Sequence, residues 1–194
     1  MSPATTDRDE IVRFCDELLA VERFDDYGPN GLQVPGRRAV TKLATGVTAN
    51  REFLAAAVDS GADLAIVHHG LFFGDGPRAL SERDAGRLRV VLGAELSIAA
   101  YHLPLDAHPE IGNNALLCRL LGLEPDPAAR FGFAKGSPIG VVGRSVPKIA
   151  IGELVERVRG LLGREPFVFD QGPEATETVG ILSGGAARNL DEAA

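Results

Sequence analysis

The sequence predicts an α/β fold with a parallel sheet, and three observations lead to that prediction. Strand-like and helix-like segments alternate between residues 43 and 121, which favours parallel pairing with right-handed crossovers. One strand-like segment, residues 64–67, is continuously apolar, as is typical of a strand covered on both faces. The chain has 194 residues, of which 45% are hydrophobic and 24% charged. This is the composition of a globular protein with a sizeable core.

The first elements follow from apolar spacing and from capping residues. A helix is predicted from about Asp7 to Ala20 with Thr6 as its cap, because apolar side chains recur at helical spacing: Ile11, Phe14, Cys15, Leu18 and Leu19. Residues 27–36 contain two prolines and three glycines, which predicts a shaped loop. Residues 43–47 are predicted to form a strand.

The next elements alternate helix and strand. Asn50 is predicted to cap a helix that packs an apolar stripe against the sheet: Phe53, Leu54, Ala57 and Val58. Ser81 is predicted to cap a second helix, which a strand over residues 96–100 follows. A further helix is predicted over residues 109–121, with Pro109 in its first turn, where the missing N–H group costs little.

A break in composition at residues 123–127 predicts a division of the chain. Residues 1–124 are expected to form an N-terminal α/β half, and residues 125–194 the start of a second half. The second part is predicted to contain strands at residues 139–142, 167–169 and 178–182, and a helix over residues 149–162. Residues 189–194 are predicted to begin a helix. Since a crossover helix leads to a further strand, we expect the chain to be a fragment of a longer protein.

Charge and composition argue against two classes of binding protein. The chain has 20 basic and 27 acidic residues, a net charge of −7, which disfavours nucleic-acid binding and a basic membrane-surface module. No apolar run reaches the roughly 20 residues that a membrane-spanning helix needs, and the first ten residues are polar. The two cysteines, Cys15 and Cys118, are predicted to be buried thiols. Together these features predict a cytoplasmic protein.

The histidines are the residues most suited to chemistry. His68 and His69 follow the strand predicted at residues 64–67, while His102, Asp106 and His108 follow the strand predicted at residues 96–100. Because ligands collect beyond the carboxyl ends of parallel strands, we expect these side chains to meet at one edge of the sheet. Imidazole and carboxylate groups suit Zn, Mn, Fe or Ni. The sequence therefore predicts a metal site, and a surface histidine pair without a metal is the alternative.

The local geometry of these residues leads to further expectations. Neighbouring strand residues point to opposite faces, so His68 and His69 are expected to converge through a bend at Gly70. Pro104 disfavours a helical turn between His102 and Asp106, which predicts an extended stretch there. Asp106 could bridge two metal ions. His102 could be a ligand, a partner of a ligand, a proton shuttle or a hydrogen-bonded structural residue, and His108 is expected to be exposed to solvent.

Two groups near the histidines have both a structural and a functional interpretation. Four arginines could attract a phosphate group, although a solvated helix face is the favoured interpretation: Arg78, Arg83, Arg87 and Arg89. Phe72 and Phe73 could wall a pocket, but packing in the core is favoured. The sequence contains neither a P-loop motif nor the nucleophile motif of serine esterases.

Five motifs in order resemble the Nif3-like dinuclear-metal-centre family, whose members are commonly labelled GTP cyclohydrolase 1 type 2 homologues. They are Tyr27-Gly28-Pro29-Asn30-Gly31-Leu32-Gln33-Val34, Gly46-Val47-Thr48-Ala49, Val67-His68-His69-Gly70, His102-Leu103-Pro104-Leu105-Asp106-Ala107-His108-Pro109 and Gly112-Asn113-Asn114-Ala115. The resemblance covers essentially the whole chain. The motif pattern is most similar to that of the short bacterial form of the family.

The resemblance implies two similar α/β halves around two divalent metal ions (Zn, Fe, Mn or Ni), and a toroidal hexamer. The family's N-terminal ligands fall on His68, His69 and Asp106. Its other ligands are a His and a Glu from a C-terminal segment, and this chain has no histidine after His108.

The function that the resemblance implies is a metal-dependent hydrolase acting on GTP or another nucleotide-like heterocycle. His102 and Asp106 are the expected catalytic residues, with His102 as a proton shuttle, and residues 30–33 are expected to help shape the pocket. The expected partners are further copies of the chain and a small-molecule substrate, with no nucleic acid and no membrane. The alternative is a non-catalytic, metal-binding hexameric scaffold or regulator.

Overall fold

The structure is a computed structural model that describes residues 4–74, 79–185, 189 and 191. The chain divides into two compact units, Met1–Pro104 and Leu105–Ala194. Both contain helices and strands, and the chain as a whole has parallel and antiparallel sheets, which confirms the α/β fold class. The division into two halves between residues 124 and 125 stays a prediction.

The first unit is built on a four-stranded mixed sheet. Its elements are, in chain order, β1 (Thr6–Asp7), α1 (Arg8–Leu18), a 3₁₀ turn (Val21–Arg23), β2 (Gly31–Val34), β3 (Ala39–Val40), β4 (Leu43–Thr48), α2 (Arg51–Asp59), β5 (Leu64–His69), α3 (Glu82–Gly93) and β6 (Ser97–Ala100). The strand order is β2-β6-β5-β4, in which β4, β5 and β6 run parallel and β2 is antiparallel to β6. The parallel βαβ core is therefore confirmed.

The helices α2 and α3 begin where the sequence predicts, because their signals are local. Asn50 Oδ1 accepts a hydrogen bond from Phe53 N at 2.8 Å, and Ser81 Oγ accepts one from Asp84 N at 3.1 Å. Each side chain satisfies an N–H group that has no partner within its own helix. Both helices pack apolar side chains into the core of the unit, where Leu54 and Val91 are fully buried.

Helix α1 differs from its prediction in its cap and in its buried face. Asp7 caps the helix instead of Thr6, since its carboxylate accepts a hydrogen bond from Asp9 N at 2.8 Å. The buried residue of the helix is Val12, and Cys15 is only half-buried. Phe14, predicted to face inward, is 63% exposed. The face turned inward is the one that contacts Tyr101, whose hydroxyl oxygen lies 3.2 Å from Val12 O.

Two predictions for this unit, one at residues 27–36 and one after His102, are wrong. Residues 27–36 do not form only a loop, because β2 lies within them and pairs with β6. The stretch after His102 is not extended: α4 (Leu103–Ala107) is a short helix. Pro104 lies in the first turn of α4, where its missing N–H group has no helical partner to lose, so proline is compatible with the helix.

The second unit is built on a long antiparallel strand. Its elements are α5 (Asn113–Leu120), β7 (Glu124–Pro125), β8 (Phe131–Ala134), β9 (Ser137–Ala150), α6 (Ile151–Leu162) and β10 (Ala175–Ile181). Strand β9 pairs with β7, β8 and β10, all antiparallel. Cys118, which is fully buried, packs with Leu121, Leu123 and Ile181.

The predictions for this unit are partly confirmed. The strands at residues 139–142 and 178–182 and the helix at residues 149–162 correspond to β9, β10 and α6. Helix α5 begins at Asn113 after Gly112 and not near Pro109. The strand predicted at residues 167–169 is wrong, since Phe167 and Phe169 are 99% and 87% exposed and lie outside any strand. Most of residues 189–194 lie outside the described residues.

In the described parts of the chain, no helix combines the length and the apolar composition that crossing a membrane would require.

Candidate metal centre

Three histidines of the first unit come together at the carboxyl ends of neighbouring parallel strands. His68 and His69 are the last two residues of β5, and His102 follows the end of β6. Each offers one ring nitrogen to a group in which all such atoms lie within 4.8 Å of one another. The ring centroids of His68 and His69 are 4.5 Å apart, and that of His102 is 5.0 Å from His68 and 5.6 Å from His69.

The convergence of His68 and His69 does not follow the predicted route. Strand β5 continues through both residues and ends before Gly70, so they lie within the strand and not after it. Gly70 is required for a different reason, because a Cβ atom there would overlap the amide of Gln33. That amide is fixed: Gln33 Oε1 accepts hydrogen bonds from Leu71 N at 2.8 Å and Phe72 N at 3.3 Å.

A hydrogen bond orients each imidazole through its Nδ1 atom. His68 Nδ1 lies 3.0 Å from the carbonyl oxygen of Tyr101, His69 Nδ1 lies 3.0 Å from Thr48 Oγ1, and His102 Nδ1 lies 2.7 Å from Asp26 Oδ1. A carbonyl oxygen can only accept, so Nδ1 of His68 is the protonated nitrogen. Metal-binding histidines commonly donate one ring N–H group to such an acceptor and use the other nitrogen as the ligand.

The carboxylate of Asp26 was not anticipated from the sequence. Its side chain is only 2% exposed, and burial raises the pKa of its carboxyl group. Hydrogen bonds outweigh that effect, so the pKa of Asp26 lies below its usual value; they come from His102, Asn30 and the backbone N–H groups of Leu103 and Tyr27. The one available signal was its position directly before the Tyr27–Val34 motif, next to the loop predicted over residues 27–36.

Asp106 and His108 lie in the second unit. Asp106 is 5% exposed, and its Oδ1 atom accepts hydrogen bonds from Asn113 Nδ2 at 2.7 Å and Ser183 Oγ at 3.4 Å. Its role as a metal ligand and catalytic residue stays a prediction. His108 is half-buried, so it is less exposed than expected. Its Nδ1 atom accepts hydrogen bonds from Glu110 N and Ile111 N, both at 3.2 Å.

A cavity of about 990 Å³ lies beside His69, a volume typical of small-molecule sites. Phe72 and Phe73 wall this cavity and are 38% and 41% exposed, so the expectation that they pack in the core is wrong. The ring centroid of Phe73 is 6.3 Å from that of His69. The cavity therefore combines aromatic walls with one of the three imidazoles.

The arginines near this cavity divide into two kinds. Arg83 also lines the cavity and is 82% exposed, and Arg89 is exposed, as expected of a solvated helix face. Arg87 is different: its side chain is 13% exposed and donates to the carbonyl oxygen of Ala49 at 3.1 Å. It ties α3 to the end of β4, so its predicted solvation is wrong. Arg78 lies outside the described residues.

The donor chemistry of the histidine group fits a divalent metal ion. Three neutral imidazoles are a ligand set that suits zinc and other first-row divalent ions. Two of the Nδ1 acceptors, the Tyr101 carbonyl and the Asp26 carboxylate, are the kinds of group that hold ligand histidines in place. His68, His69 and His102 could therefore hold a metal ion.

Comparisons with known proteins agree with the motif pattern. Residues 6–194 match the family model described as Duf34/NIF3 (NGG1p interacting factor 3). Relatives called "GTP cyclohydrolase 1 type 2 homolog" include one from Deinococcus radiodurans, 38% identical over 96% of this chain and 70% of its own length. Another, from Escherichia coli K12, is 38% identical over 95% of this chain and 72% of its own length.

Solved structures show the same fold. A Thermus thermophilus protein superposes with a TM-score of 0.80 at 35% identity, over 96% of this chain and 74% of its own. A protein named ybgI, of unknown function, has a TM-score of 0.87 at 36% identity, over 97% of this chain and 74% of its own. The Bacillus cereus protein related to NIF3 is only 15% identical, with a TM-score of 0.80 over 97% of this chain and 79% of its own, and shows the fold alone. The chain belongs to the DUF34/NIF3 family.

Proposed function

We propose that this protein is a metal-dependent hydrolase that acts on GTP or another nucleotide-like heterocycle. The observation that supports it best is the group formed by His68, His69 and His102, whose Nδ1 atoms are all hydrogen-bonded, next to a cavity of about 990 Å³. The name of the relatives, GTP cyclohydrolase 1 type 2 homolog, supports the choice of GTP as the first substrate to test.

In this proposal different residues of the first unit bind the metal ion, transfer a proton and contact the substrate. His68 and His69 would hold a divalent ion, which would supply Lewis acidity when bound. His102 moves a proton at its Nε2 atom, because its Nδ1 atom faces Asp26. Phe72 and Phe73 offer aromatic surfaces on which a flat ring can stack. The proposal of a second ion, with Asp106 as its ligand, rests on the family resemblance.

The test is a reconstitution of the chain with one metal at a time. The protein is loaded with Zn²⁺, Mn²⁺, Fe²⁺ or Ni²⁺, the bound metal is quantified by mass spectrometry, and GTP turnover is followed by chromatography of the products. We expect turnover with at least one metal and none after the metal is removed with a chelator. If the occupied protein leaves GTP intact with every metal, GTP is not its substrate.

The alternative function is a metal-binding scaffold or regulator that assembles as a hexamer. Exposed apolar side chains favour assembly: Val47, on β4, is 68% exposed, and Phe14 is 63% exposed. Light scattering would measure the mass of the metal-loaded protein. A hexamer without turnover would favour the scaffold. For both functions we propose a cytoplasmic location, which the two free thiols, Cys15 and Cys118, support.

A further inference from the structure

Asp26 is a buried carboxylate that contacts the histidine group through the ring of His102. Each of its oxygen atoms accepts two hydrogen bonds. Oδ1 accepts from His102 Nδ1 at 2.7 Å and from Tyr27 N at 2.6 Å, and Oδ2 accepts from Asn30 Nδ2 at 2.9 Å and from Leu103 N at 2.8 Å. Rotation of this carboxylate would break several of these bonds at once. Its orientation relative to the imidazole is therefore fixed.

The backbone of His102 is held by the same loop. Asn30 donates to Asp26 through Nδ2 and accepts from His102 N through Oδ1 at 2.8 Å. Leu103 N, the next donor along the chain, is bound by Asp26 itself. Two side chains of one loop thus hold both the ring and the main chain of His102, at the point where α4 begins.

This arrangement determines which ring nitrogen of His102 carries the proton. A neutral imidazole has one N–H group, and its two nitrogens have opposite hydrogen-bonding roles. A carboxylate oxygen accepts, so the nitrogen that faces Asp26 must donate. The hydrogen bond is short and involves a charged acceptor, which makes it stronger than a neutral one. The lone pair is then on Nε2.

We infer that Asp26 is a positioning residue, which fixes His102 in the Nδ1–H tautomer so that Nε2 is the nitrogen offered to a metal ion or to a transferred proton. The inference deepens the proposed function. It rests on that function only for the statement that Nε2 serves a metal ion or a transferred proton. The tautomer itself is a property of the metal-free protein.

The tautomer can be read by long-range ¹H–¹⁵N correlation spectra of the imidazoles in metal-free protein at pH 8. The chain has only four histidines, so a His102→Gln variant assigns the signals. In the parent chain we expect the Nδ1–H form of His102 to exceed the Nε2–H form by at least about tenfold. In Asp26→Asn, the amide can face the ring with its oxygen or its NH₂ group. Both tautomers should then be populated, within about threefold of each other.

Asp16→Asn is the matched control. Asp16 also binds a group of the first unit through one carboxylate oxygen, since its Oδ1 accepts a hydrogen bond from the Tyr101 hydroxyl at 2.8 Å. This variant should keep the parent tautomer of His102. An Nε2–H form as the major species in the parent, or an unchanged tautomer in folded Asp26→Asn, would overturn the inference.

Should Asp26→Asn not fold, the parent spectrum decides alone, with Nδ1–H in support and Nε2–H against. Failure of the proposed function is a separate result, because loss of metal binding or of GTP turnover does not alter spectra that are recorded without metal or substrate.

Discussion

At the scale of single residues, His69 gives the sharpest test of the metal centre. Its ring lies at the end of β5 and is half-buried, and it is one of three imidazoles in the group. His69→Ala should weaken Zn²⁺ binding by at least about 100-fold, because a ligand is lost. The free energy of unfolding should change by no more than about 1 kcal/mol, since the side chain is not in the core. Calorimetric titration and urea unfolding measure the two quantities.

His108→Gln is the control for this variant. His108 lies in the second unit and outside the histidine group, so its replacement should leave Zn²⁺ affinity unchanged. The contrary outcome for His69→Ala is retained metal together with a loss of several kcal/mol of stability. That result would make His69 a structural histidine.

The local sequence predicts the three histidines of the site, but it does not predict the contacts that Gln33 and Asp26 make there. The three histidines were visible because each lies at or just beyond a strand that its own apolar neighbours predict. Gln33 and Asp26 act on residues far along the chain, since Gln33 binds Leu71 and Asp26 binds His102. Nothing in their own neighbourhood encodes these partners. The exposure of Arg87 was mispredicted for the same reason, because its side chain donates to the carbonyl oxygen of Ala49, 38 residues earlier in the chain.

At the scale of elements, a helix or strand was predicted correctly where the residues that determine it are close together in the sequence, and less well where they are far apart. The helices α2 and α3 were predicted because a cap and an apolar stripe lie within one or two turns of each other. The buried face of α1 depends on Tyr101, which lies at the end of β6. The three apolar residues at 167–169 have strand composition, but they make no strand because no pairing partner meets them in the structure described.

A buried carboxylate at the start of β5 gives a second prediction, at the level of the sheet. Asp63 Oδ2 accepts hydrogen bonds from Thr41 N at 2.9 Å, Thr41 Oγ1 at 2.8 Å and Lys42 N at 3.2 Å, which joins the turn before β4 to the start of β5. Burial raises the pKa of Asp63, but these hydrogen bonds and Arg37 hold it below its usual value. Asp63→Asn should therefore cost about 1–3 kcal/mol of unfolding free energy at pH 7.

The pH dependence of that cost has a defined sign. Because the pKa is lower in the folded than in the unfolded state, the ionised carboxylate stabilises the fold above the unfolded pKa of about 4. This contribution is lost as the pH falls through the folded pKa, so parent and variant should converge in acid. Urea unfolding at pH 7, 5 and 3 measures the difference, with the exposed Asp59→Asn as control, expected to stay within about 0.5 kcal/mol. A difference that grows in acid would contradict the assignment.

At the scale of the whole molecule, the histidine group lies entirely within one of the two compact units. A metal ion that binds the folded group and not the unfolded chain must stabilise the unit Met1–Pro104. The chain has no tryptophan and two tyrosines, Tyr27 and Tyr101, both in that unit. Tyrosine fluorescence therefore reports selectively on the unit that would hold the metal.

The last prediction uses that reporter. With free Zn²⁺ at about 100 times its dissociation constant, the unfolding free energy followed by tyrosine fluorescence should rise by about 2.7 kcal/mol. His69→Ala should show almost none of this gain, because its group no longer binds the ion tightly. An equal gain in parent and variant would mean that Zn²⁺ binds elsewhere on the chain. The three imidazoles would then be a hydrogen-bonded cluster that orders the ends of β5 and β6 without a metal.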